Sequence, residues 1–232
     1  MKLSIIIPTL NEADNIGGVL ARLQPMRSRG AEVIVVEANS TDETVAIAAA
    51  LVDRVVTSER GRATQMNAGA KEASGDALLF LHADSILPAN GDEWIARGLS
   101  NPRFKWGRFD IQITGSHRML PVIAWFMNHR SRLTGIATGD QGIFMTREAF
   151  DAVGGFPVQP LMEDVAMSAS LLRVSPPIYV DARISTSGRR WEKHGLWRTI
   201  FLMWRLRLNY FMGADPARLH RTYYGAGVNN GK

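Results

Sequence analysis

Carboxylates recur in this chain at points where a short apolar run gives way to a helix-like pattern. Residues 8–12 read Pro8-Thr9-Leu10-Asn11-Glu12, and residues 36–42 carry Glu37 ahead of Asn39-Ser40-Thr41-Asp42. Residues 82–84 read His82-Ala83-Asp84, and Glu163-Asp164 follows a stretch with Gly154, Gly155, Pro157 and Pro160. Backbone N–H groups at a helix N-terminus suit a diphosphate, and Thr9, Asn11 and Glu12 add side-chain hydrogen bonds for a base or ribose. Glu37 at a strand end suits a ribose hydroxyl or a base N–H. Arg60 and Arg62, ahead of a helix carrying Gln65 and Asn67, suit phosphate oxygens. Asp84 is the natural ligand for Mg2+ or Mn2+, which take one or two carboxylates and complete their shell with phosphate and water. His82 would support it. A carboxylate carried into a cleft by a loop, as at Glu163-Asp164, can act as a general base. Taken singly, each segment is also an ordinary helix-capping or solvated turn.

The elements that must position these groups follow from periodicity. Apolar runs at 2–7, 32–36, 54–57 and 77–81 predict buried strands. Helical spacing predicts helices over 12–23 (Asn11 as cap), from 40–42 through 51, and over 62–73 with Gly75 ending it. This alternation predicts an α/β fold with a mainly parallel, Rossmann-like sheet flanked by helices. Ligand sites of open α/β sheets lie at the carboxyl ends of the strands, where the polar clusters fall. The second half is less regular. Residues 106–114 read as an antiparallel strand and 142–146 as a short one. Helices are expected over 118–133, 163–173 and 195–212, and 228–232 read as a frayed tail. One domain over 1–188 with a helical C-terminal segment over 189–232 is expected, packed on that domain or on a membrane.

Composition limits the chemistry. No cysteine is present, which excludes disulfides, thiol nucleophiles and thiolate metal sites. The net charge is +5, and it is not spread evenly. Between Arg189 and Arg221, eight basic residues meet only Glu192 and Asp215, so this stretch alone exceeds the net charge of the chain. Residues 195–212 interleave Trp197, Phe201, Trp204, Tyr210 and Phe211 with aliphatics. Arg198, Arg205 and Asn209 form one polar stripe, and Arg207 falls off it. Such a helix lies in an anionic membrane surface or packs on the sheet with snorkelling arginines. Nucleic acid is not an expected partner, since the arginines are interleaved with bulky aliphatics. The apolar run at 3–7 is too short for a signal segment, and no run approaches the roughly 20 residues of a spanning helix. The expected location is cytoplasmic, either free or peripheral on the cytoplasmic face of the membrane.

In this order, residues 4–12, 35–44, 62–69, 79–84, 139–142, 154–156 and 163–164 resemble the family 2 glycosyltransferases of the GT-A fold. The likeness covers about residues 2–173. Arg189-Arg190-Trp191 and the Arg- and Trp-rich end also resemble a subgroup of short bacterial transferases often placed near radical-SAM proteins. The resemblance implies a GT-A sheet with a C-terminal amphipathic helical appendage. It implies a nucleotide-binding set of Pro8, Thr9, Asn11, Glu12, Glu37, Arg62, His82 and Ala83. Asp84 would bind the metal and Asp164 would be the catalytic base. Asp140, Glu163, Arg190 and Trp191 would meet the acceptor. The implied reaction is inverting transfer from a nucleoside-diphosphate sugar, UDP by family frequency, to a hydroxyl of a lipid or small molecule.

Three positions depart from the family pattern. Glu37 stands for an Asp, His82 for an acidic residue, and Ser187 for the Gln of Gln-x-x-Arg-Trp. The last favours transfer of a single sugar over polymer synthesis. A non-catalytic nucleotide-sugar-binding or membrane-docking protein is the second reading, motivated by His82 and Glu37 and opposed by Asp164. A nucleotidyltransferase is a third, disfavoured because no Gly-rich Lys/Arg loop accompanies the first strand. The sequence leaves the oligomeric state open.

Overall fold

Strands covered on both faces need no alternation of apolar and polar residues, and the N-terminal half is built from such strands. The computed structural model describes residues 1–225, the side chain of Arg190 excepted, so the tail at 228–232 lies outside the described residues. Strands β1 (Leu3–Thr9), β2 (Glu32–Glu37), β3 (Arg54–Thr57) and β4 (Ala77–Phe80) pair in parallel in the order β3-β2-β1-β4. Successive side chains point to opposite faces. Ile5 and Ile7 therefore meet one helix layer and Ile6 the other. Helix α1 (Ala13–Ser28) buries Ile16, Val19, Leu20 and Leu23 on the first face with Val33 and Val35. Helix α3 (Arg62–Glu72) buries Ala63, Met66 and Ala70 on the second with Ile34 and Val36. Between them, α2 (Thr44–Ala49) joins β2 to β3.

The second half extends the same sheet. After β5 (Ser85–Ile86) and α4 (Gly91–Leu99) come β6 (Trp106–Thr114) and α5 (Leu120–Thr134). A 3-10 turn (Gly139–Gln141), β7 (Ile143–Thr146), α6 (Arg147–Ala152), α7 (Glu163–Leu171) and β8 (Ile178–Ser187) follow. The eight strands run β3-β2-β1-β4-β7-β6-β8-β5. Strand β7 is antiparallel to both β4 and β6. The expected antiparallel character of β6 holds only at Trp106 and Gly107; over Gly107–Thr114 it runs parallel to β8, with a register shift between Phe109 and Asp110. The fold is a mixed α/β sheet, mostly parallel and flanked by helices, as the alternation predicts. The C-terminal helix arrives in three pieces: α8 (Arg189–His194), α9 (Leu196–Phe211) and α10 (Pro216–Gly225). Trp191, Leu196 and Ile200 rest on the main core, while Leu206 and Leu219 close on Ile136, Met162 and Val165. No helix among the described residues is long and apolar enough to cross a membrane.

Two expected helix ends differ. Asn11 does not cap α1; it adopts a left-handed φ of 53°, and its Oδ1 accepts from the Thr41 amide at 2.8 Å. The free N–H groups at the start of α1 are met from the next loop instead. Glu12 N donates to Thr44 Oγ1 at 2.8 Å and Ala13 N to Asp42 Oδ2 at 3.1 Å. Two loops thus lock each other, which local sequence does not announce. Nor does Gly75 end α3, which stops at Glu72. Gly75 serves a close approach, since a Cβ there would sit 2.6 Å from Ser4 Oγ and 2.7 Å from Ser4 N.

Gly69 brings α3, and with it Arg62, down onto the sheet. A Cβ on Gly69 would lie 2.5 Å from Ile6 Cγ2 and 2.7 Å from Val36 Cγ2, both in the buried layer. Gly69→Ala should therefore destabilise the fold by about 1–3 kcal/mol through overpacking. A urea titration would show a lower midpoint at unchanged slope. An unchanged midpoint would mean that the helix yields without cost.

Candidate active site

The carboxyl ends of β1 and β4 open onto one cavity of about 720 Å³. Pro8 and Glu12 reach it from the end of β1, and His82, Ala83 and Asp84 from the end of β4. Arg62 arrives on α3, Asp140 on the 3-10 turn, Glu163 and Asp164 on α7, and Trp191 on α8. Residues far apart in sequence thus share one wall.

Helix α7 begins abruptly. Met162 takes a left-handed φ of 66°, which turns the chain into the helix and puts both carboxylates in its first turn. Asp164 is then held by two backbone donors: Gly139 N donates to Oδ2 and Val165 N to Oδ1, each at 2.8 Å. Asp140 follows Gly139, and its Oδ1 lies 3.1 Å from His82 Nδ1. Glycine is needed at 139, because a Cβ there would collide with the His82 ring. Burial opposes ionisation of Asp140, but the His82 hydrogen bond and the charges of His82, Arg62 and Arg207 outweigh it and hold the carboxyl below its usual value.

Glu163 is the contrasting carboxyl. Its side chain is 4% exposed, and Arg62 Nη1 stands 3.4 Å from its Oε1. Burial, then the neighbouring Asp164 charge, raise its pKa against the pull of Arg62. Burial tends to lower the pKa of Arg62, but Glu163 leads a group of negative neighbours that pushes it up. At the far end, Arg189 Nη2 sits 4.0 Å from Glu12 Oε2 and 3.9 Å from Asp84 Oδ2. Among the described residues no three His, Cys, Asp or Glu side chains converge as a metal cage. Asp84 therefore fits a divalent cation only in the one-carboxylate manner, with substrate phosphates and water completing the shell.

Three expected nucleotide contacts do not line the cavity. Thr9 is 2% exposed and donates to Val36 O at 3.3 Å. Gln65 Nε2 spans Thr9 O and Val36 O at 2.8 Å each. Glu37 is buried and accepts from Ser40 N at 3.1 Å. With Asn11, these residues tie the strand-end loops together. The side chain of Arg190 lies outside the described residues.

Sequence reasoning missed Arg130 on α5, and it left Arg207 on α9 only as a residue off the polar stripe. Both line the cavity. That departure from the stripe was the one available signal. Nε and Nη2 of Arg130 and Nε of Arg207 are buried without a hydrogen-bond partner. Burial, then the charge of Arg207, lower Arg130 to about 10. Around this mouth Val122, Trp125 and Phe126 of α5 and Trp197, Phe201 and Trp204 of α9 are exposed.

Residues 4–152 match the family model described as Glycosyl transferase family 2. The chain is 34% identical over 95 residues to a dolichol-phosphate mannosyltransferase of Pyrococcus furiosus, covering 38% of this chain and 27% of that one. It is 24% identical over 224 residues to a beta-monoglucosyldiacylglycerol synthase of Synechocystis, covering 83% of this chain and 46% of that one. It thus spans less than half the length of these curated relatives. Among solved structures, a mannosyltransferase from Pyrobaculum calidifontis in complex with GDP-Man and Mn2+ superposes with a TM-score of 0.65 at 20% identity, over 99% of this chain and 65% of that one.

The raised pKa of Glu163 has a stability consequence. The folded state holds this proton above the ordinary value of 4.5, so the group's contribution to stability falls as pH rises through that interval. Glu163→Gln removes the effect. The melting temperature of the variant relative to the natural protein should rise from below pH 4.5 to neutral pH. A difference independent of pH would contradict the assignment.

Proposed function

Because this chain belongs to glycosyl transferase family 2, we propose that it moves a single sugar, with inversion, from a nucleoside-diphosphate sugar to a hydroxyl of a lipid or small-molecule acceptor. UDP is the favoured nucleotide by family frequency. The observation that carries this reading is Asp164, fastened by the Gly139 and Val165 amides in the cavity that also receives Arg62 and Asp84.

The chemistry needs three things at once. The acceptor hydroxyl gives its proton to the Asp164 carboxylate, and its oxygen attacks the anomeric carbon in line. The bond from that carbon to the diphosphate oxygen breaks, and the electron pair leaves with the nucleoside diphosphate. Negative charge then grows on the leaving phosphate, where fixed positive groups lower the barrier. Arg62 supplies one such group, and Arg189 stands between Glu12 and Asp84 on the same wall. When bound at Asp84, Mg2+ or Mn2+ would neutralise the departing diphosphate. Pro8, Glu12, His82 and Ala83 complete the donor side, with Thr9, Asn11 and Glu37 shaping the loops behind it. Asp140, Glu163 and Trp191 face the acceptor side, and Arg190 belongs there by its family position.

A lipid acceptor accords with the surroundings. The aromatic faces of α5 and α9 are exposed beside the mouth, and the 189–221 stretch is strongly basic. Both support docking on the anionic cytoplasmic face of a membrane, with 1–188 and the C-terminal helices acting together. The names of the Pyrococcus and Synechocystis relatives point the same way.

Asp164→Asn should retain UDP binding while transfer falls by about 10²- to 10⁴-fold, assayed as UDP released from a donor panel. Unimpaired turnover would remove Asp164 from its role. Asp84→Ala should weaken UDP binding in calorimetry with Mg2+ or Mn2+ present. Unchanged binding would exclude it as the metal ligand.

A further inference from the structure

We propose that Arg130 and Arg207 form a phosphate subsite for the acceptor, beside Asp164. The acceptor would then be a phosphate-bearing molecule that carries its reacting hydroxyl elsewhere. This rests on the transferase reading above.

The two arginines come from α5 and α9, which are remote in sequence, and both line the cavity. Like charges side by side repel, and burial removes the water that would screen them. Burial and then the charge of Arg207 lower the pKa of Arg130, and burial lowers that of Arg207. Nε and Nη2 of Arg130 and Nε of Arg207 are buried and meet no acceptor. Buried polar groups are normally satisfied, and a guanidinium is a fork of donors shaped for carboxylate or phosphate oxygens. The one negative charge acting on both is Asp164, whose two oxygens already accept from Gly139 N and Val165 N; Arg207 also feels Asp140. A dianionic phosphate would satisfy both forks and relieve their repulsion.

Position separates this subsite from the donor's. The cations of the donor wall are engaged: Arg62 pairs with Glu163, and Arg189 stands between Glu12 and Asp84. Arg130 and Arg207 instead belong to the helices whose Phe126, Phe201 and Trp204 frame the mouth. A phosphate held there can carry an apolar tail out along those side chains. The chemistry recognised is the phosphate; a lipid phosphate and a free phosphorylated metabolite are its two sources.

Calorimetry on the full chain, saturated with UDP, would test this with farnesyl phosphate, farnesol and inorganic phosphate. Farnesyl phosphate should bind more tightly than farnesol by about tenfold or more, as expected for charge-assisted hydrogen bonds. Arg130→Gln and Arg207→Gln should each abolish that preference. UDP affinity should stay the same, and the ligand-free melting temperature should not fall, because each variant removes a guanidinium whose buried donors meet no acceptor. Inorganic phosphate matching farnesyl phosphate would identify a soluble acceptor; a gain from the tail would identify a lipid. Equal binding of farnesol and farnesyl phosphate would overturn the subsite. So would loss of UDP affinity in the arginine variants, which would assign the pair to the donor. Binding is read without turnover, so absence of UDP release from every donor would count against the transferase reading and not against this one.

Discussion

The hydrogen bond from the Gly139 amide to Asp164 is the constraint on which the site depends. It joins the 3-10 turn before β7 to the first turn of α7, two segments with no local reason to meet. The next residue, Asp140, reaches His82 at the end of β4. One short loop therefore sets the distance between the strand end that carries Asp84 and the helix that carries Asp164. Only glycine allows the approach, because a side chain at 139 would occupy the space of the His82 ring. The general base proposed at Asp164 needs such a fixed position. Here its position is set by backbone donors, not by its own rotamer.

Charges in the cavity are arranged in partnerships, and the exceptions are informative. Arg62 stands against Glu163, His82 against Asp140, and Arg189 between Glu12 and Asp84. The pairing matters most for Glu163, whose side chain is 4% exposed and would otherwise be stranded. Among the described residues that line the cavity, Arg130 and Arg207 leave buried donors unanswered. The two ends of the cavity are thus unlike: the strand-end side balances its charges, while the α5–α9 side holds surplus positive charge beside exposed aromatics. That asymmetry matches a reaction joining two substrates of different chemistry. One member of the basic C-terminal segment, Arg207, thus lines the cavity.

Much of the first half was legible because its signals are local. Uninterrupted apolar runs became β1 to β4, and helical spacing became α1 to α3, with ends displaced by a few residues. The helix ends that differ do so through contacts across the chain, as with Asn11 and Asp42. The second half was harder to read. Strand β8 carries Asp181 and Arg183 on a mixed pattern of buried and exposed positions, so neither strand period stands out. Helix α9 has large apolar side chains on faces left to solvent, which blurs its buried stripe of Leu196, Thr199 and Leu206. The parallel pairing of β6 with β8 depends on a strand that was itself unrecognised.

The sequence by itself determined the α/β class, the family, and the residues at the strand ends, because these are properties of short segments in a fixed order. It named Pro8, Glu12, Arg62, His82, Ala83, Asp84, Asp140, Glu163, Asp164 and Trp191, which come together in one cavity. The tertiary structure alone decided which of these residues touch. It turned Thr9, Asn11 and Glu37 to fastening loops, paired Glu163 with Arg62, and brought Arg130 and Arg207 into one cavity. Those outcomes depend on how α5, α7 and α9 close over the sheet. Burial and charge pairing arise between segments distant in sequence, and no local pattern encodes them.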